Sequence, residues 1–581
     1  MRMKTLTLAI MAAASAAVPG LAYSHGNPHH SHDHDRNDEG SIQFAPVPVP
    51  STDAQMRSVL ASPWVKIDGR RYPIGYNVLA RSGDNIGGGT YGELVDINGN
   101  PLLAEDGSKK ISTYTDFSSL LTGKYGGLFM VSHFEDAPAA MYVTELQQNR
   151  HTGILKARRT RPLDFSAVNG GYTHCAGSVT PWGTHLGSEE YEPNAAQPDI
   201  LEDQFFSPMH DYFAGAQLAN PYDYGFSVEV KVDSFYDTHV SKHYAMGRFA
   251  WELGKVMDDE KTVYASDDGT DVGLFRFVAD APRKLNSGYL YAAKWKQTDG
   301  SGAGAATIDW INLGHASDKD IKPFLDSKGS FADIFDVDVP GCTNIRTTGG
   351  NECLKVKPGM DMIASRVETR RYAALMGATT EFRKMEGITY NPEAHKLYIS
   401  MSEIGKGMAD KVDGGNNDIR LQDNPCGAVY QLSLDGNYVA THMEGLVAGT
   451  PVAGDAFNTC DLNGIANPDN LTFIPGYDTL MIGEDTGSGH RNDAVWAYNL
   501  SKKRLTRVET TPYGAESTSL YFYPNVNGFA YLMTVVQHPY GESDQSKLEN
   551  AAQARAYTGY VGPFPAVDKG DGDFDDWWKS H

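Results

Sequence analysis

Short apolar runs separated by turn residues dominate the chain from about residue 60 to residue 565. The runs at 127–135, 386–403 and 469–485 are rich in Val, Ile, Tyr, Phe and Leu, and Gly, Pro, Asn and Asp stand between such runs. Runs of this length and composition are typical of strands rather than helices. The pattern therefore predicts an all-β fold with many short strands.

Three segments of the chain share one plan. In each segment an acidic residue leads into a strand, a proline turn follows, and a second apolar strand ends at polar groups. The three acids are Glu386, Asp469 and Glu516. Because equivalent positions of radially arranged blades converge on a central channel, the repeat predicts a six-bladed β-propeller with long insertions between its strands.

The first residues have the features of an export signal. Arg2 and Lys4 precede an apolar run over 6–22, and the small residues Ala22 and Ser24 suit a cleavage site. We therefore predict a secretory signal peptide over 1–24, with a buried N-terminal helix as the alternative. No later run reaches about 18 apolar residues, so we expect no membrane span and a periplasmic or extracellular location.

Composition suggests three further segments. A His-rich stretch follows the leader and a Pro-rich stretch ends at Pro50, which together predict a flexible tail over 25–50. The histidines could hold Zn²⁺ or Cu²⁺ loosely, or could be a solvated remnant of the leader. Residues 51–566 contain no low-complexity stretch and are predicted to form a single catalytic domain, followed by an acidic tail over 567–581.

The charge balance narrows the possible partners. With 50 Lys and Arg against 73 Asp and Glu, the net charge is −23. Such a field repels nucleic acid and attracts cations, so metal ions are expected partners and nucleic acid is not. We expect the chain to be a monomer.

Five cysteines in an exported chain leave at least one thiol unpaired. Cys342 and Cys353 bracket a short polar loop and are expected to form a disulfide. Cys426 and Cys460 lie on either side of a predicted strand pair and could form a second one, although sequence alone does not establish the connectivity. Cys175 would then be the free thiol. It is either an inert buried side chain or, in a turn-rich segment that ends in two glutamates, a metal ligand.

Acidic side chains gathered in a narrow channel cannot all be ionised without cations, because like charges at close range raise each other's pKa. Carboxylate oxygens suit Ca²⁺, whereas a thiolate points to iron or another transition metal. Any one carboxylate could equally be a solvated turn residue, so only their recurrence before or after apolar strands supports a site. The candidate ligands are Cys175, Glu189, Glu190, Glu252, Asp267, Asp268, Glu386, Asp469, Glu484, Asp485 and Glu516.

Six motifs, in order, resemble those of the PhoX alkaline phosphatases. They lie at 174–190, 245–252, 264–268, 384–388, 467–471 and 514–516 with 537–539. The first carries the cysteine and the pair of glutamates, and the resemblance extends over most of the chain from Trp64 to His538.

The resemblance implies a propeller with iron and calcium ions in its channel that hydrolyses small-molecule phosphate monoesters outside the cytoplasm. By the same resemblance Cys175, Glu252 and Glu386 would hold iron, and the calcium and mixed positions would be filled by the remaining carboxylates, including Glu189, Glu190, Asp469 and Glu516.

Cations must also hold the dianionic substrate against the negative field of the protein. Arg248, Arg383 and Lys384 are the candidates for this role.

Two features depart from the family. The leader lacks the arginine pair of a twin-arginine signal, and Lys384 stands where the family would have an arginine, which removes the bidentate fork. Two other functions remain open: a different metal-dependent hydrolase, such as a phosphodiesterase or lactonase, and a catalytically silent, calcium-stabilised propeller that binds an extracellular partner.

Overall fold

A computed structural model of the chain describes residues 40–409 and 415–567. The predicted signal peptide, the His-rich stretch and the acidic residues after Val567 lie outside the described residues. Most of the described chain is strand, in agreement with the predicted all-β class. In these two ranges no helix is long and apolar enough to cross a membrane.

The N-terminal strands pair with each other and with the end of the chain. The seven strands are β1 (Ile42–Phe44), β2 (Leu60–Ala61), β3 (Trp64–Ile67), β4 (Arg70–Pro73), β5 (Gly75–Arg81), β6 (Asn85–Ile86) and β7 (Gly89–Thr90). β1 pairs with β3 and β3 pairs with β4, and both pairs are antiparallel.

The prediction of a flexible tail is wrong for residues 42–47. Ile42 and Phe44 alternate with Gln43, so both point to one face of β1 and pack against the core, and Val47 is buried as well.

Two four-stranded antiparallel sheets follow in chain order. The first contains β8 (Thr115–Thr122), β9 (Leu128–Phe134), β10 (Ala140–Gln148) and β11 (Leu155–Pro162). The second contains β12 (Ser178–Val179), β13 (His185–Gly187), β14 (Val228–Ser234) and β15 (Asp237–Lys242). The long connection before β14 is one of the predicted insertions.

The next sheet has nine strands and is built from two antiparallel units. One unit is β16 (Trp251–Val256), β17 (Thr262–Asp267), β19 (Leu274–Ala281) and β20 (Lys284–Asp299). The other is β26 (Met385–Asn391), β27 (Lys396–Met401), β28 (Ala428–Leu434) and β29 (Ala440–Ala448). The strand β21 (Ala305–Ser317) pairs with β20 on one side and with β29 on the other, and so joins the two units.

An insertion between these units carries most of the helices. Two short strands outside it, β18 (Thr270–Val272) and β25 (Phe382–Arg383), pair with each other. The remaining elements here are α2 (Asp318–Asp326), α3 (Phe331–Ile334), β22 (Phe335–Val337), β23 (Thr343–Thr347), β24 (Gly350–Val356), α4 (Asp361–Val367) and α5 (Thr369–Leu375); α1 (Asp53–Met56) lies near the N-terminus. Short 3₁₀ helices occur at Ser166–Val168, Ile200–Glu202, Ser207–Phe213, Pro221–Asp223, Tyr244–Met246, Lys406–Met408, Gln545–Lys547 and Ala551–Ala554.

The last two sheets each recruit a strand from the N-terminal part. β30 (Pro468–Ile474), β31 (Thr479–Glu484), β32 (Ala494–Asn499) and β33 (Arg504–Thr510) form one sheet with β2, and β34 (Glu516–Val526), β35 (Phe529–Gln537) and β36 (Tyr557–Pro565) form the other with β5. Pairing of β36 with β5 ties the two ends of the described chain together.

The predicted disulfides are confirmed. Cys342 is bonded to Cys353, which closes the β23–β24 hairpin, and Cys426 is bonded to Cys460. Cys175 is the free cysteine, as predicted.

The first strands of five antiparallel units form a chain of contacts: β16 contacts β26, β26 contacts β30, β30 contacts β34, and β34 contacts β8. In the unit β12–β15 it is β13 that contacts both β8 and β16. Hydrophobic clusters fill the space between neighbouring sheets. This packing excludes water from the sheet faces and leaves the polar chemistry to the strand ends at the centre.

Glu509 on β33 lies outside this centre and gives a test of the packing. Its carboxyl is fully buried, and its hydrogen bond comes from Thr534 at 2.9 Å. Burial raises the pKa of Glu509 to about 8. As pH rises from about 4.5 to 8 the unfolded chain loses this proton before the folded chain does, so the free energy of unfolding falls with rising pH, on the order of 3–5 kcal/mol in all.

We expect Glu509→Gln to remove this dependence, so that the variant gains melting temperature over the wild type as pH rises from 5 to 9. Thermal unfolding across that range measures the gain, with Glu105→Gln at an exposed position as the control. Parallel pH profiles for Glu509→Gln and wild type would contradict the buried, protonated state of Glu509.

Candidate metal centre

Four antiparallel units, two of them in the nine-stranded sheet, begin with a strand that carries an acidic side chain at the same kind of position. Asp116, Glu252, Glu386 and Asp469 are each the second residue of a strand. At each of them the register to the neighbouring strand shifts, which marks a β-bulge. Because a bulge bends the strand and turns a side chain out of the regular alternation, it can aim these carboxylates at the shared centre.

Gly387 explains how closely two of these strands approach. A Cβ atom at this position would lie 2.7 Å from the carbonyl oxygen of Asp469 and 2.8 Å from the backbone nitrogen of Leu471. Only glycine therefore allows β26 to pack against β30 here. The close approach brings the carboxylates of Glu386 and Asp469 together.

The acidic side chains and the free thiol form one connected cluster. Three triads each have ligand atoms within 4.8 Å of one another, and they share Cys175 and Glu252. Cys175 Sγ lies 3.9 Å from Asp116 Oδ2. The triads are Asp116–Glu135–Cys175, Cys175–Glu190–Glu252 and Glu252–Glu386–Asp469.

More polar side chains enter the centre directly after the second strands of the sheets. Glu135 follows β9, Asp268 follows β17, Asp485 follows β31 and His538 follows β35. His538 Nε2 lies 3.3 Å from Glu516 Oε2, at the start of β34. The site is thus built at the open ends of the hairpins, where the first strand starts and the second strand ends.

Neutral side chains hold several carboxylates in place. The Gln537 amide donates to Asp116 at 3.2 Å and to Glu135 at 3.0 Å, which links two sheets. The Ser402 hydroxyl donates to Glu386 at 2.9 Å, and the Asn470 amide to Asp469 at 2.6 Å. These donors leave other oxygen atoms of the same carboxylates facing the cluster.

The electrostatics of the cluster are unfavourable without cations. Burial, reinforced by neighbouring carboxylates, raises the pKa of Asp116, Glu190, Glu252, Asp469 and Glu516 well above the usual range. For the same reasons the pKa of Glu135 is raised to about 7 and that of Glu386 to about 8. The pKa of the Cys175 thiol is also raised well above normal, by burial and then by the nearby carboxylates.

Lys384 supplies a positive charge at this site. Its ammonium group lies 3.4 Å from Glu386 Oε1. Glu386 and Asp268 raise the pKa of Lys384 well above normal, so Lys384 stays charged. Burial raises the pKa of Asp268, but Lys384 together with hydrogen bonds from Glu190 and the Gly269 backbone outweighs burial, so this pKa is lowered.

The donor set fits metal ions. Asp116 Oδ1, Asp268 Oδ1 and Asp469 Oδ1 are buried without a hydrogen-bond partner. A buried carboxylate oxygen without a donor is unfavourable unless a cation compensates it. Hard oxygen ligands beside one soft thiol suit calcium together with a transition metal.

Three predicted ligands have partners within the chain. Glu189 makes a buried ion pair with Lys242 at 2.7 Å and accepts three backbone N–H groups. Asp267 is paired with Arg370 and accepts the Gly273 N–H. Each carboxylate already has its charge or its lone pairs satisfied within the chain, which leaves little for a metal ion.

Glu484 is the third. Its oxygens accept hydrogen bonds from His490, from the Trp496 indole and from two backbone N–H groups. It lies at the end of β31, one residue before the centre-facing Asp485. The alternation of side chains along a strand explains why neighbours in the sequence differ in role.

Two predicted substrate-binding arginines are also engaged elsewhere. Arg248 is buried and donates to backbone carbonyl groups, including those of Tyr224 and Val367, so its N–H groups are engaged away from the cluster. Arg383 pairs with Glu403 at 2.8 Å and donates to Thr270. Of the three predicted cations, only Lys384 contacts a carboxylate of the cluster.

Sequence reasoning did not assign Asp116 or Glu135 as ligands. Asp116 leads into the buried β8 in the same way as the predicted acids lead into their strands, so the same plan could have found it. Glu135 directly follows β9, as Asp268 follows β17.

Comparisons with known proteins support the family suggested by the motifs. The family model for alkaline phosphatase PhoX matches residues 140–539. Pseudomonas fluorescens PhoX, solved in complex with vanadate, a transition state analogue, is similar in structure with a TM-score of 0.59 at 16% identity, covering 90% of this chain and 98% of that one. A search of curated proteins finds no match.

Other structures show weaker likeness. A Penicillium chrysogenum α-L-arabinanase has a TM-score of 0.32 at 8% identity, covering 85% of this chain and 99% of its own. A putative 6-phosphogluconolactonase from Bacteroides uniformis has a TM-score of 0.28 at 13% identity, covering 67% and 82%. The family match spans more than half of the chain and includes the cluster residues from Cys175 to Glu516, and so the chain belongs to the PhoX alkaline phosphatase family.

Proposed function

We propose that the protein is an exported phosphatase that hydrolyses phosphate monoesters with the aid of iron and calcium bound in the carboxylate and thiol cluster. The observation that carries this proposal is the convergence of Cys175 with carboxylates from separate sheets, in a chain of the PhoX family. Buried, partly unpartnered acids of this density are costly unless they serve a charged ligand.

The same proposal includes a six-bladed propeller. The six units would be β8–β11, β12–β15, β16 with β17, β19 and β20, β26–β29, β30–β33, and β34–β36 with β5. Contacts between neighbouring inner strands return from β34 to β8, as a closed ring requires. The last unit would be completed by the N-terminal β5, which secures a propeller against opening.

We assign the transition metal to the region around Cys175. A thiolate is a soft ligand that calcium does not use, and Glu252 bridges the thiol triad to the triad of Glu386 and Asp469. Calcium would be held by the oxygen-only part of the cluster, to which Asp485 and Glu516 also belong. The expectation that Glu189 and Asp267 bind metal is not carried over, since Lys242 and Arg370 neutralise them.

When bound, the metal ions would neutralise charge on the phosphate oxygens and lower the pKa of a water molecule at the site. The chain contributes further groups. Lys384 offers an ammonium group that attracts the dianionic phosphate, and Ser402 fixes the carboxylate of Glu386 beside it. Gln537 holds Asp116 and Glu135 in one orientation, so the ligand set needs little rearrangement when the site is loaded.

His538 is placed to handle a proton. Its Nε2 lies 3.3 Å from Glu516, and its Nδ1 is buried without a hydrogen-bond partner. An imidazole N–H can donate a proton to a leaving alcohol, and Glu516 orients the ring for this. We therefore assign His538 as the group that supplies the leaving-group proton.

The metal assignment predicts which variants lose which ion. Cys175→Ala should lower the bound transition metal to background while most calcium remains, because only the soft ligand is removed. Elemental analysis of the purified holoprotein measures both.

Asp233→Asn is the matched control, because Asp233, Asp237 and His239 form a comparable triad at a more exposed position. Equal transition-metal content in Cys175→Ala and wild type would contradict the assignment.

The function predicts a loss of phosphate release in a second variant. Glu386→Gln should lower kcat for p-nitrophenyl phosphate by about a hundredfold or more, because it removes a ligand charge at the centre.

Lys384→Ala should lower kcat/KM by about tenfold and Lys384→Arg should recover most of it, since charge is what Lys384 contributes.

Steady-state kinetics with vanadate as a competitive probe measures these effects. A Glu386→Gln variant with full turnover, or a wild-type protein that binds both metals and hydrolyses no phosphate monoester, would exclude the proposed activity.

A further inference from the structure

A cavity of about 290 Å³ adjoins the metal centre and shares Asp268 with it. Its walls come from the residues after Glu190, from the start of α5 and from the tip of the β23–β24 hairpin. This volume lies near the lower end of the range for small-molecule pockets. It is therefore a candidate space for the organic part of a bound ester, and the inference drawn from it rests on the proposed phosphatase function.

Tyr191 presents a ring at this cavity. The residue directly follows Glu190, has a φ of 49° and is 50% exposed. A tyrosine in the left-handed region is uncommon, and its ring stays exposed although most aromatic side chains of the described chain are buried. The ring is thus available for stacking on the C–H face of a sugar or on another flat group.

The hairpin tip opposite is held rigidly. The Cys342–Cys353 disulfide closes the hairpin, and the Thr348 hydroxyl donates to the Thr270 carbonyl at 2.8 Å. At Gly349 a Cβ atom would lie 2.6 Å from the Arg371 guanidinium, so the tip packs directly on that side chain. The shape of the cavity is therefore largely fixed before an ester binds.

Three arginines line the cavity, and the guanidinium nitrogen atoms of each are engaged within the chain. Arg370 makes four hydrogen bonds to Glu192 and Asp267, and Arg371 makes four to Glu352, Glu368 and Asn194. Arg248 makes four to backbone carbonyl groups.

The charges that line this space are balanced, but every guanidinium nitrogen is already engaged. Glu192, Asp268 and Glu368 line the cavity with Arg248, Arg370 and Arg371, while Asp267 and Glu352, outside the lining, pair with Arg370 and Arg371. A second anionic group on the substrate would meet the lining carboxylates without a free guanidinium nitrogen to bind it. Hydroxyl groups, in contrast, can donate to Glu192 and accept from the Thr347 hydroxyl, since the Thr348 hydroxyl already donates to Thr270.

We infer that this cavity binds the leaving group of the ester and selects neutral, hydroxylated alcohols, so that the preferred substrates are monophosphates of sugars or polyols rather than esters with a second phosphate. Tyr191 and Glu192 are the specificity-determining residues. Tyr191 contributes stacking, and Glu192 both accepts from hydroxyl groups and occupies Arg370.

The experiment compares kcat/KM of the metal-loaded enzyme for glucose 6-phosphate, fructose 1,6-bisphosphate and p-nitrophenyl phosphate. We expect glucose 6-phosphate to exceed the bisphosphate by at least about tenfold. Glu192→Gln should reduce that ratio at least about threefold, because it removes one negative charge from the cavity wall while Arg370 stays paired with Asp267. Thr348→Lys, at an exposed position, should reduce it in the same direction without disturbing a buried group.

Tyr191→Ala should raise KM for glucose 6-phosphate about fivefold, and Tyr191→Phe should retain the wild-type value, because stacking needs only the ring. Glu145→Gln, which breaks the comparable ion pair with Arg159, and Tyr236→Ala, at another exposed tyrosine, are matched controls outside the cavity.

Equal kcat/KM for the two sugar phosphates, or a ratio that neither Glu192→Gln nor Thr348→Lys changes, would overturn the inference while hydrolysis of p-nitrophenyl phosphate leaves the proposed function standing. Loss of hydrolysis of all three esters in the metal-loaded wild type would overturn both.

Discussion

Mutual repulsion among buried carboxylates governs the centre of this protein. Four inner strands each direct an acid inward from a β-bulge, and further acids enter from the ends of the second strands. Because the low-dielectric surroundings strengthen this repulsion, the charged form of the cluster requires cations. The arrangement is therefore suited to binding cations. The hydrophobic contacts between the sheets offset the free-energy cost of burying these carboxylates.

The structure distinguishes acids that carry this repulsion from acids that are already neutralised. Glu190 lies in the thiol triad, whereas its neighbour Glu189 is bound to Lys242. Asp268 keeps an unpartnered oxygen at the centre, whereas Asp267 is bound to Arg370. In each pair of adjacent acids, one carboxylate is therefore paired with a basic side chain and the other faces the cluster.

The same logic links the centre to the cavity beside it. Arg370 connects Asp267, on the second strand of one sheet, to Glu192 at the cavity wall. The cavity is therefore lined by arginines whose N–H groups are engaged by the scaffold. In the function that we propose, the metal centre and Lys384 recognise the phosphate, and the adjoining space accepts an uncharged alcohol.

Local patterns in the sequence determined the strand-rich class, the family and most of the cluster, because apolar runs and ordered motifs are properties of neighbouring residues. The cysteine spacing indicated both disulfides and the free thiol without establishing the connectivity. They did not show that Asp116 joins the cluster, that β1 continues the core, or that Glu189, Asp267, Glu484 and Arg248 are engaged by residues far away in the chain. Only the tertiary structure decided these points, because whether a buried charge is free or neutralised depends on the partners that folding brings to it from other sheets.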